Sequence, residues 1–133
     1  MILLVEVGRK FRRKNSLEKL FRTGARVIMA CRDLKKCEQT REKIVSDSFN
    51  TNVVCRECDL ASIESIKNFA DEINKNEKYL HLLINNAGVM WHPSKLTKDG
   101  FEQHLGVNYL GMNREVKFVF RESDVFVFKV IFC

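Results

Sequence analysis

The segment from residue 82 to residue 88 reads Leu82-Leu83-Ile84-Asn85-Asn86-Ala87-Gly88, so an aliphatic run turns abruptly into amides and small residues. A continuous apolar run is typical of a strand buried on both faces of a parallel sheet. In open α/β sheets, ligands bind just beyond the carboxyl ends of such strands. Two side-chain amides there can bridge neighbouring strands, and Gly88 lets a ligand approach the main chain. The segment therefore predicts a buried strand that ends at a ligand site.

Strands and helices are predicted to alternate on both sides of this segment. Apolar runs predict strands at Ala25–Cys31, Val53–Cys58 and Tyr79–Ile84. Helical periodicity predicts one helix from Leu34 to Val45, capped by Asp33, and another capped by Ser62. The expected buried faces are Leu34, Cys37, the Arg41 stem and Ile44 in the first helix, and Ile63, Ile66, Phe69, Ala70 and Ile73 in the second.

The rest of the chain extends this α/β pattern. His92–Gly100 is expected to be a loop, Phe101 to about Arg121 a helix, and Asp124–Phe132 a β-rich end. Alternating strands and helices indicate βαβ units around a parallel sheet. We therefore predict an α/β fold with a partial Rossmann-type parallel sheet, flanked by helices and incomplete in its C-terminal half.

Composition and charge limit the classes of function. The 133 residues are enough for one domain, and the net charge of +6 is concentrated in residues 1–24, which carry seven Lys/Arg against two Glu. Such a basic segment is usually solvated, and attraction to nucleic acid or an anionic membrane is the less favoured alternative. No apolar run approaches the roughly 20 residues of a membrane span.

The cysteines and histidines give no clear sign of a metal or disulfide site. Five cysteines is an odd number, which argues against a closed disulfide framework. Cys55 and Cys58 form a C-x-x-C pair, but they lie in a predicted strand and should point to opposite faces. We expect thiols in a reducing compartment and, because the three histidines share no ligand spacing, no metal site.

Five segments occur in the order and spacing of one known family. They are Gly24–Asp33, Asp59-Leu60, Asn85-Asn86-Ala87-Gly88-Val89-Met90, Asp99-Gly100-Phe101-Glu102 and His104–Gly111. This set resembles the short-chain dehydrogenase/reductase family, in particular its retinol dehydrogenase-like branch. The resemblance implies an NADP(H)-dependent oxidoreductase that interconverts retinoids or other lipophilic alcohols and carbonyls. It further implies a partial dinucleotide-binding domain at 25–111, between a divergent basic segment at 1–24 and a divergent tail at 112–133.

The resemblance also assigns candidate site residues. Those expected to bind the cofactor are Arg32, Asp59, Leu60, Asn85, Asn86, Ala87 and Gly88. Arg32 follows a strand where a carboxylate would bind an NAD ribose, so its guanidinium suits the 2′-phosphate of NADP, unless it is simply a solvated arginine. Asp59 either contacts adenine or caps the next helix, and both roles can hold together. Asn108 matches the family's asparagine that anchors a water in the proton relay, with a structural amide as the alternative.

The chain also departs from the family at its catalytic and phosphate-binding positions. The family's Tyr-x-x-x-Lys pair is absent, because Leu83 stands four residues after Tyr79 and Asn113 four after Tyr109. The catalytic serine is absent too, which leaves Asn108 as a remnant. The basic run Arg9–Lys14 replaces glycines of the pyrophosphate loop, where side chains would block close approach.

These departures lead to three alternative interpretations. We expect a truncated or alternatively spliced product that is inactive and binds NADP(H) weakly or not at all. A non-enzymatic module that associates with a full-length family member is the second interpretation, because the missing half would expose sheet edges. Binding of nucleic acid or anionic membranes is the third. The resemblance implies a cytoplasmic location or the cytoplasmic face of intracellular membranes, often the endoplasmic reticulum.

The order of strands sets one further requirement. In a 3-2-1-4 order, the first strand lies between the second and the fourth. Ile2–Val7 is the candidate before Gly24 for this position. We therefore predict that Ile2–Val7 occupies the first-strand position and that a short helix at Ser16–Phe21 follows it.

Overall fold

The computed structural model describes residues 2–5, 21–90, 95–114 and 126–129, the first and last of these ranges by their backbone alone. The strands in these ranges are β1 (Ile2–Val5), β2 (Val27–Cys31), β3 (Val53–Glu57), β4 (Leu82–Asn85) and β5 (Phe126–Lys129). The helices are α1 (Leu34–Ser48), α2 (Ile63–Asn76) and α3 (Gln103–Leu105), and α3 continues directly into a π-helical turn (Gly106–Gly111). The predicted α/β fold is confirmed.

The five strands form one parallel sheet in the order β3-β2-β1-β4-β5. β1 lies at its centre, where Ile2 pairs with Val27 on one side and with Leu82 on the other. The prediction for Ile2–Val7 is confirmed for Ile2–Val5. Val7 and most of the predicted Ser16–Phe21 helix lie outside the described residues, as does most of the basic segment 1–24.

The last strand comes from the segment that the sequence marks as a divergent tail. β5 pairs in parallel with β4, and Phe126 lies beside Leu82. The β-rich pattern of Asp124–Phe132 is therefore confirmed at Phe126–Lys129. This strand extends the sheet beyond β4, in the direction in which the sequence predicts an incomplete half.

Two apolar layers cover the two faces of the sheet. On one face α2 packs its buried residues Ile66, Phe69, Ala70 and Ile73 against Ile28, Ala30 and Leu83. On the other face α1 contributes Cys37 and Ile44 to a cluster with Val27, Met29 and Val53. The alternation along β2 divides its side chains between these layers, as expected for a strand buried on both faces. Each fully buried large apolar side chain contributes about 1.5–3 kcal/mol.

The predicted helix caps are present, although one predicted core residue is exposed. The Asp33 carboxylate accepts the Lys36 backbone N–H at 3.1 Å, and the Ser62 hydroxyl accepts the Ser65 N–H at 3.3 Å. α1 runs to Ser48, beyond the predicted end at Val45. The assignment of Leu34 to its buried face is wrong, because Leu34 is 42% exposed. Leu34 is the first residue of α1 and comes only three positions after β2 ends. It therefore lies beyond the end of the strand, where its side chain has no sheet face to pack against.

The loop after β4 is fastened to the start of α2. The Lys98 N–H donates to the Ala61 carbonyl at 3.2 Å, and the Asp99 carboxylate accepts the Ile63 N–H at 2.8 Å. Two glycines bring the π-helical turn close to these elements. A Cβ at Gly106 would collide with the Thr97 methyl, and one at Gly111 would lie 2.5 Å from the Leu60 carbonyl oxygen. The helix predicted from Phe101 to about Arg121 starts at Gln103, and its π-helical part has no signature in the sequence. The predicted part beyond Arg114 lies outside the described residues.

The expectation of unpaired thiols is wrong for two cysteines. Cys37 on α1 and Cys55 on β3 form a disulfide, with 6.1 Å between their Cα atoms. Both lie in the cluster under α1, whereas Cys58 lies in the cluster on the other face, as predicted from strand alternation. An odd cysteine count excludes pairing of all five, but it cannot exclude one pair brought together by packing.

Among the described helices, none combines the length and apolarity that a membrane span needs.

We predict that this disulfide stabilises the folded chain. The cross-link joins residues 18 positions apart, and closing a loop of that size contributes about 3 kcal/mol through the unfolded state. Reduction with dithiothreitol should therefore lower the free energy of unfolding by about this amount, as measured by urea denaturation. The Cys37→Ala variant serves as control, since reduction should no longer change its stability. Equal stability of oxidised and reduced wild type would contradict the prediction.

Candidate functional site

The candidate residues lie beyond strand ends that are in register. Ala30 of β2 and Asn85 of β4 both pair with Val5, and Cys31 pairs with Glu57 of β3. One more backbone bond, from the Cys58 N–H to the Cys31 carbonyl at 3.1 Å, extends the ladder at this edge. The segments that follow β2, β3 and β4 therefore leave the sheet at the same carboxyl-terminal edge, where the strands end. In an open parallel sheet this edge is where a ligand binds.

Arg32 is the first residue after β2, and its side chain is exposed at this edge. Asp33 follows it directly and caps α1. The position is therefore compatible both with binding of an anionic group and with a solvated arginine. Its accessibility means that a ligand could reach the guanidinium without displacing any part of the core.

Asp59 uses one carboxylate oxygen to hold the turn before α2. Its Oδ1 accepts the Ala61 N–H at 3.0 Å, while its own N–H donates to the Ser65 hydroxyl at 2.9 Å. Ser62, and not Asp59, provides the helix cap. The second oxygen, Oδ2, lies 4.0 Å from the Lys98 ammonium. Because the turn requires only Oδ1, Oδ2 is left to face a ligand or Lys98. The next residue, Leu60, is buried.

The segment Asn85–Gly88 changes from buried to exposed within four residues. Asn85 is 3% exposed, and its Oδ1 has no donor within the described part of the chain. Asn86 is half-buried, Ala87 is buried and Gly88 is exposed. A Cβ at Gly88 would meet Asn108 Oδ1 at an ordinary contact distance of 3.6 Å. Among the described residues, packing therefore does not require a glycine at position 88.

Asn108 connects the π-helical turn to the segment after β4. Its Oδ1 accepts the Val89 N–H at 2.8 Å, and its Nδ2 donates to the Val89 carbonyl at 3.0 Å. This two-point contact satisfies both ends of the amide and fixes the backbone just after Gly88. The Asn108 side chain therefore has a structural role. The backbone carbonyl of Asn108 belongs to a π-helical turn, a distortion that is frequent at functional sites.

Two contributions to this edge were not expected from the sequence. The Lys98 ammonium approaches Asp59 across 39 positions of sequence, and the Val89 backbone receives Asn108. Neither residue type marks such a role, because any residue has a backbone and an exposed lysine is common. From the sequence, only the predicted topology indicated that the segments after β3 and β4 meet at the same edge.

In the described ranges, no three His, Cys, Asp or Glu side chains form a group suited to a metal ion.

Glu102 organises the start of the helix that carries Asn108. Its two carboxylate oxygens accept the N–H groups of His104 and Leu105, both at 2.9 Å, and Oε1 lies 2.7 Å from His104 Nδ1. The backbone bond from His104, followed by that from Leu105 and by the His104 ring, lowers the pKa of Glu102 to about 2. These bonds favour the ionised carboxylate, so the cap is strongest when Glu102 is charged.

A sequence model of the family described as short chain dehydrogenase matches residues 14–124. The chain belongs to this family. Over 98 residues it is 49% identical to retinol dehydrogenase 12 of Mus musculus and 46% identical to retinol dehydrogenase 13 of Homo sapiens. Each alignment covers 74% of this chain but only 31% and 30% of the two relatives. The resemblance to the retinol dehydrogenase-like branch is confirmed, and the chain spans less than a third of these relatives.

Solved structures share the fold. An uncharacterised protein from Mycobacterium paratuberculosis superposes with a TM-score of 0.74 at 33% identity, covering 89% of this chain and 40% of that protein. A metagenomic short-chain oxidoreductase in complex with NADP superposes with a TM-score of 0.67 at 24% identity, covering 88% and 54%. The second similarity supports the fold alone. The Rossmann-type sheet of this family member is thus confirmed.

We predict that the cap formed by Glu102 makes the start of α3 sensitive to acid. The pKa of Glu102 in the folded chain, about 2, lies below its ordinary value of 4.5. Its contribution to stability is therefore complete above about pH 4.5 and is lost as the pH falls towards 2. Hydrogen exchange of the N–H groups of His104 and Leu105, corrected for intrinsic rates, should lose protection over this interval.

The matched control is Glu102→Gln, which keeps a side-chain acceptor but has no carboxylate to titrate. Its protection should be lower at neutral pH and should depend less on pH between 4.5 and 2. Identical pH profiles for the two proteins would contradict the assignment.

Proposed function

We propose that the edge formed by Arg32, Asp59 and Asn85–Gly88 is the adenosine half of an NADP(H) site in a retinol dehydrogenase-like oxidoreductase. The observation that carries the proposal is the common register of the strands, which places the three groups beyond the same edge of the sheet. The substrate class is a lipophilic alcohol or carbonyl, as the names of the similar retinol dehydrogenases suggest. NADP(H), when bound, supplies or accepts the hydride, and the residues described here bind and orient it.

Each group has a distinct part in the proposed site. The exposed Arg32 guanidinium binds the 2′-phosphate by charge-assisted hydrogen bonds. Asp59 accepts a hydrogen bond from the adenine amine through Oδ2, because Oδ1 already holds the Ala61 N–H. Gly88 gives room for the dinucleotide to pass close to the backbone, and the contact of Asn108 with Val89 keeps that backbone in place. Support for NADP(H) over NAD(H) rests on Arg32.

We further propose that this 133-residue chain by itself binds the dinucleotide weakly and does not complete the reaction. The run Arg9–Lys14 stands where the family has glycines that let a pyrophosphate approach the backbone. The sequence contains no Tyr-x-x-x-Lys pair, so no phenol is positioned to exchange a proton with the substrate oxygen. The amide of Asn108 cannot replace that phenol, because an amide is far too weak an acid to protonate the substrate oxygen. Its oxygen and nitrogen are also both hydrogen-bonded to the Val89 backbone.

Our first prediction for this function concerns cofactor preference. The chain should bind NADP more tightly than NAD, and Arg32→Ala should lower the ratio of the two affinities by about one to two decades. This follows from about 1.5–3 kcal/mol for a charge-assisted contact. Calorimetric titration of both dinucleotides at fixed salt gives the ratio for wild type and for Arg32→Ala. The basic segment attracts the more highly charged NADP in both proteins, so its effect cancels in the change of the ratio between them. Arg32→Lys is the control and should retain part of the preference, and a ratio unaffected by Arg32→Ala would exclude this role.

The second prediction concerns turnover. The purified chain should show no oxidation of NADPH that depends on added retinal, because its sequence lacks the Tyr-x-x-x-Lys pair that would protonate the developing alkoxide. A spectrophotometric assay of NADPH in the presence and absence of retinal measures this. Retinal-dependent oxidation that disappears in Asn108→Ala would prove the proposed inactivity wrong, since contaminating enzymes would not respond to that substitution.

A second candidate function is association with a full-length family member. β5 forms one edge of the sheet, and among the described strands it pairs with β4 alone. An open edge of this kind can pair with a strand of another chain. The chain should then co-purify with a full-length retinol dehydrogenase when the two are expressed together.

Proline substitutions at Val127 and Phe128 test this association. Successive N–H groups of a strand point to opposite sides, so one of the two variants removes an N–H from the β4 side and the other from the open edge. The variant that keeps wild-type thermal stability is the one altered at the open edge, and it should lose the partner. Retention of the partner by both variants would exclude pairing through β5.

A further inference from the structure

We propose that Lys36 is a positioning residue for NADP(H) selection: it pairs with Asp33 and thereby offsets a carboxylate charge beside the 2′-phosphate site at Arg32. The inference rests on the proposed NADP(H) site and adds to it a residue that does not itself contact the cofactor. The pairing explains how the short segment Arg32-Asp33 can provide both a helix cap and an anion-binding residue.

Lys36 engages both oxygens of the Asp33 carboxylate. Its backbone N–H donates to Oδ1 at 3.1 Å, and its ammonium lies 2.6 Å from Oδ2. The two side chains are 65% and 42% exposed, respectively, so the pair lies at the surface, where the next residue back along the chain is the exposed Arg32. A group bound by Arg32 would therefore lie near an ion pair and not near a bare carboxylate.

The conflict that this pair resolves comes from the sequence order. A carboxylate just after the second strand favours the ribose diol of NAD, and it repels the phosphate of NADP. Asp33 is held at that place because it caps α1. An aspartate is ionised near neutral pH, and the hydrogen bonds from the Lys36 side chain and backbone lower the pKa of Asp33 further. Its negative charge must consequently be offset by a neighbouring cation.

Two variants separate this role from general charge effects. Lys35 is exposed, lies on the same turn of α1 and carries the same charge, which makes Lys35→Ala the matched control for Lys36→Ala. Asp33→Asn removes the carboxylate charge but keeps a capping side chain, since asparagine caps helices about as well as aspartate. α1 therefore remains capped while the proposed source of repulsion is removed.

The experiment measures the affinities of the full chain for NADP and NAD by titration at fixed ionic strength. Lys36→Ala should lower the NADP-to-NAD ratio by about 1.5-fold to fivefold, the range expected for a solvent-exposed charge pair. Lys36→Arg should restore the ratio, and Lys35→Ala should change it less. In the Asp33→Asn background the effect of Lys36→Ala should vanish. Thermal unfolding of every variant separates this effect from loss of the helix.

The other outcomes overturn the inference in distinguishable ways. An equal effect of Lys35→Ala and Lys36→Ala, or an effect of Lys36→Ala that persists with Asp33→Asn, overturns it, because Lys36 would then act as a general charge. If the ratio depends on Arg32 but not on Lys36, only this inference fails and the proposed NADP(H) site stands. A wild-type chain that binds neither dinucleotide, or both equally, overturns the proposed site and this inference together.

Discussion

The backbone hydrogen bonds of β1 are the interaction on which the rest of the sheet depends. β2 and β4 do not pair with each other, and they share a sheet because Ile2–Val5 pairs with both. The central position of β1 also sets the register between β2 and β4, since Val5 pairs with both Ala30 and Asn85. Four residues close to the N-terminus thus bring Arg32 and Asn85 to the same edge, although 53 positions of sequence separate them. The candidate site is a direct consequence of that register.

A second set of contacts keeps the segments beyond this edge in place. Close packing of Gly111 against Leu60 brings the π-helical turn to the end of β3, and Asn108 on that turn holds Val89 after β4. The loop that precedes the turn is tied to the start of α2 through Asp99 and Lys98. Each of these bonds satisfies a backbone group that would otherwise be exposed or unpaired.

Two aspartates at this edge illustrate how structural and binding roles can coexist. Asp33 and Asp59 each use Oδ1 to accept a backbone N–H, at the start of α1 and before α2 respectively. In each case Oδ2 lies beside a lysine, Lys36 or Lys98. The cap that the sequence offered as an alternative role for Asp59 is provided by Ser62, and Asp59 instead holds the turn before α2. The geometry assigns one oxygen to the backbone and leaves the other oxygen for a cation or a ligand.

Local patterns in the sequence determined the strands, helices and caps. Aliphatic runs, periodic apolar positions and the capping residues Asp33 and Ser62 act over a few neighbouring residues, so each could be read from a short window. The five segments that include Asn85–Gly88 likewise indicated the family, and the strand ends they follow indicated the edge proposed as the site. The need for a first strand between β2 and β4 then pointed to Ile2–Val7.

Contacts between distant segments were decided by the tertiary structure alone. The Cys37–Cys55 disulfide depends on how α1 crosses β3, and the bonds of Asn108 to Val89 depend on where the π-helical turn packs. The exposure of Leu34 depends on where the sheet ends beneath α1. None of these has a local sequence signature, because each is set by the distance and direction between two elements. The sequence determined which elements form, and their packing determined which side chains meet.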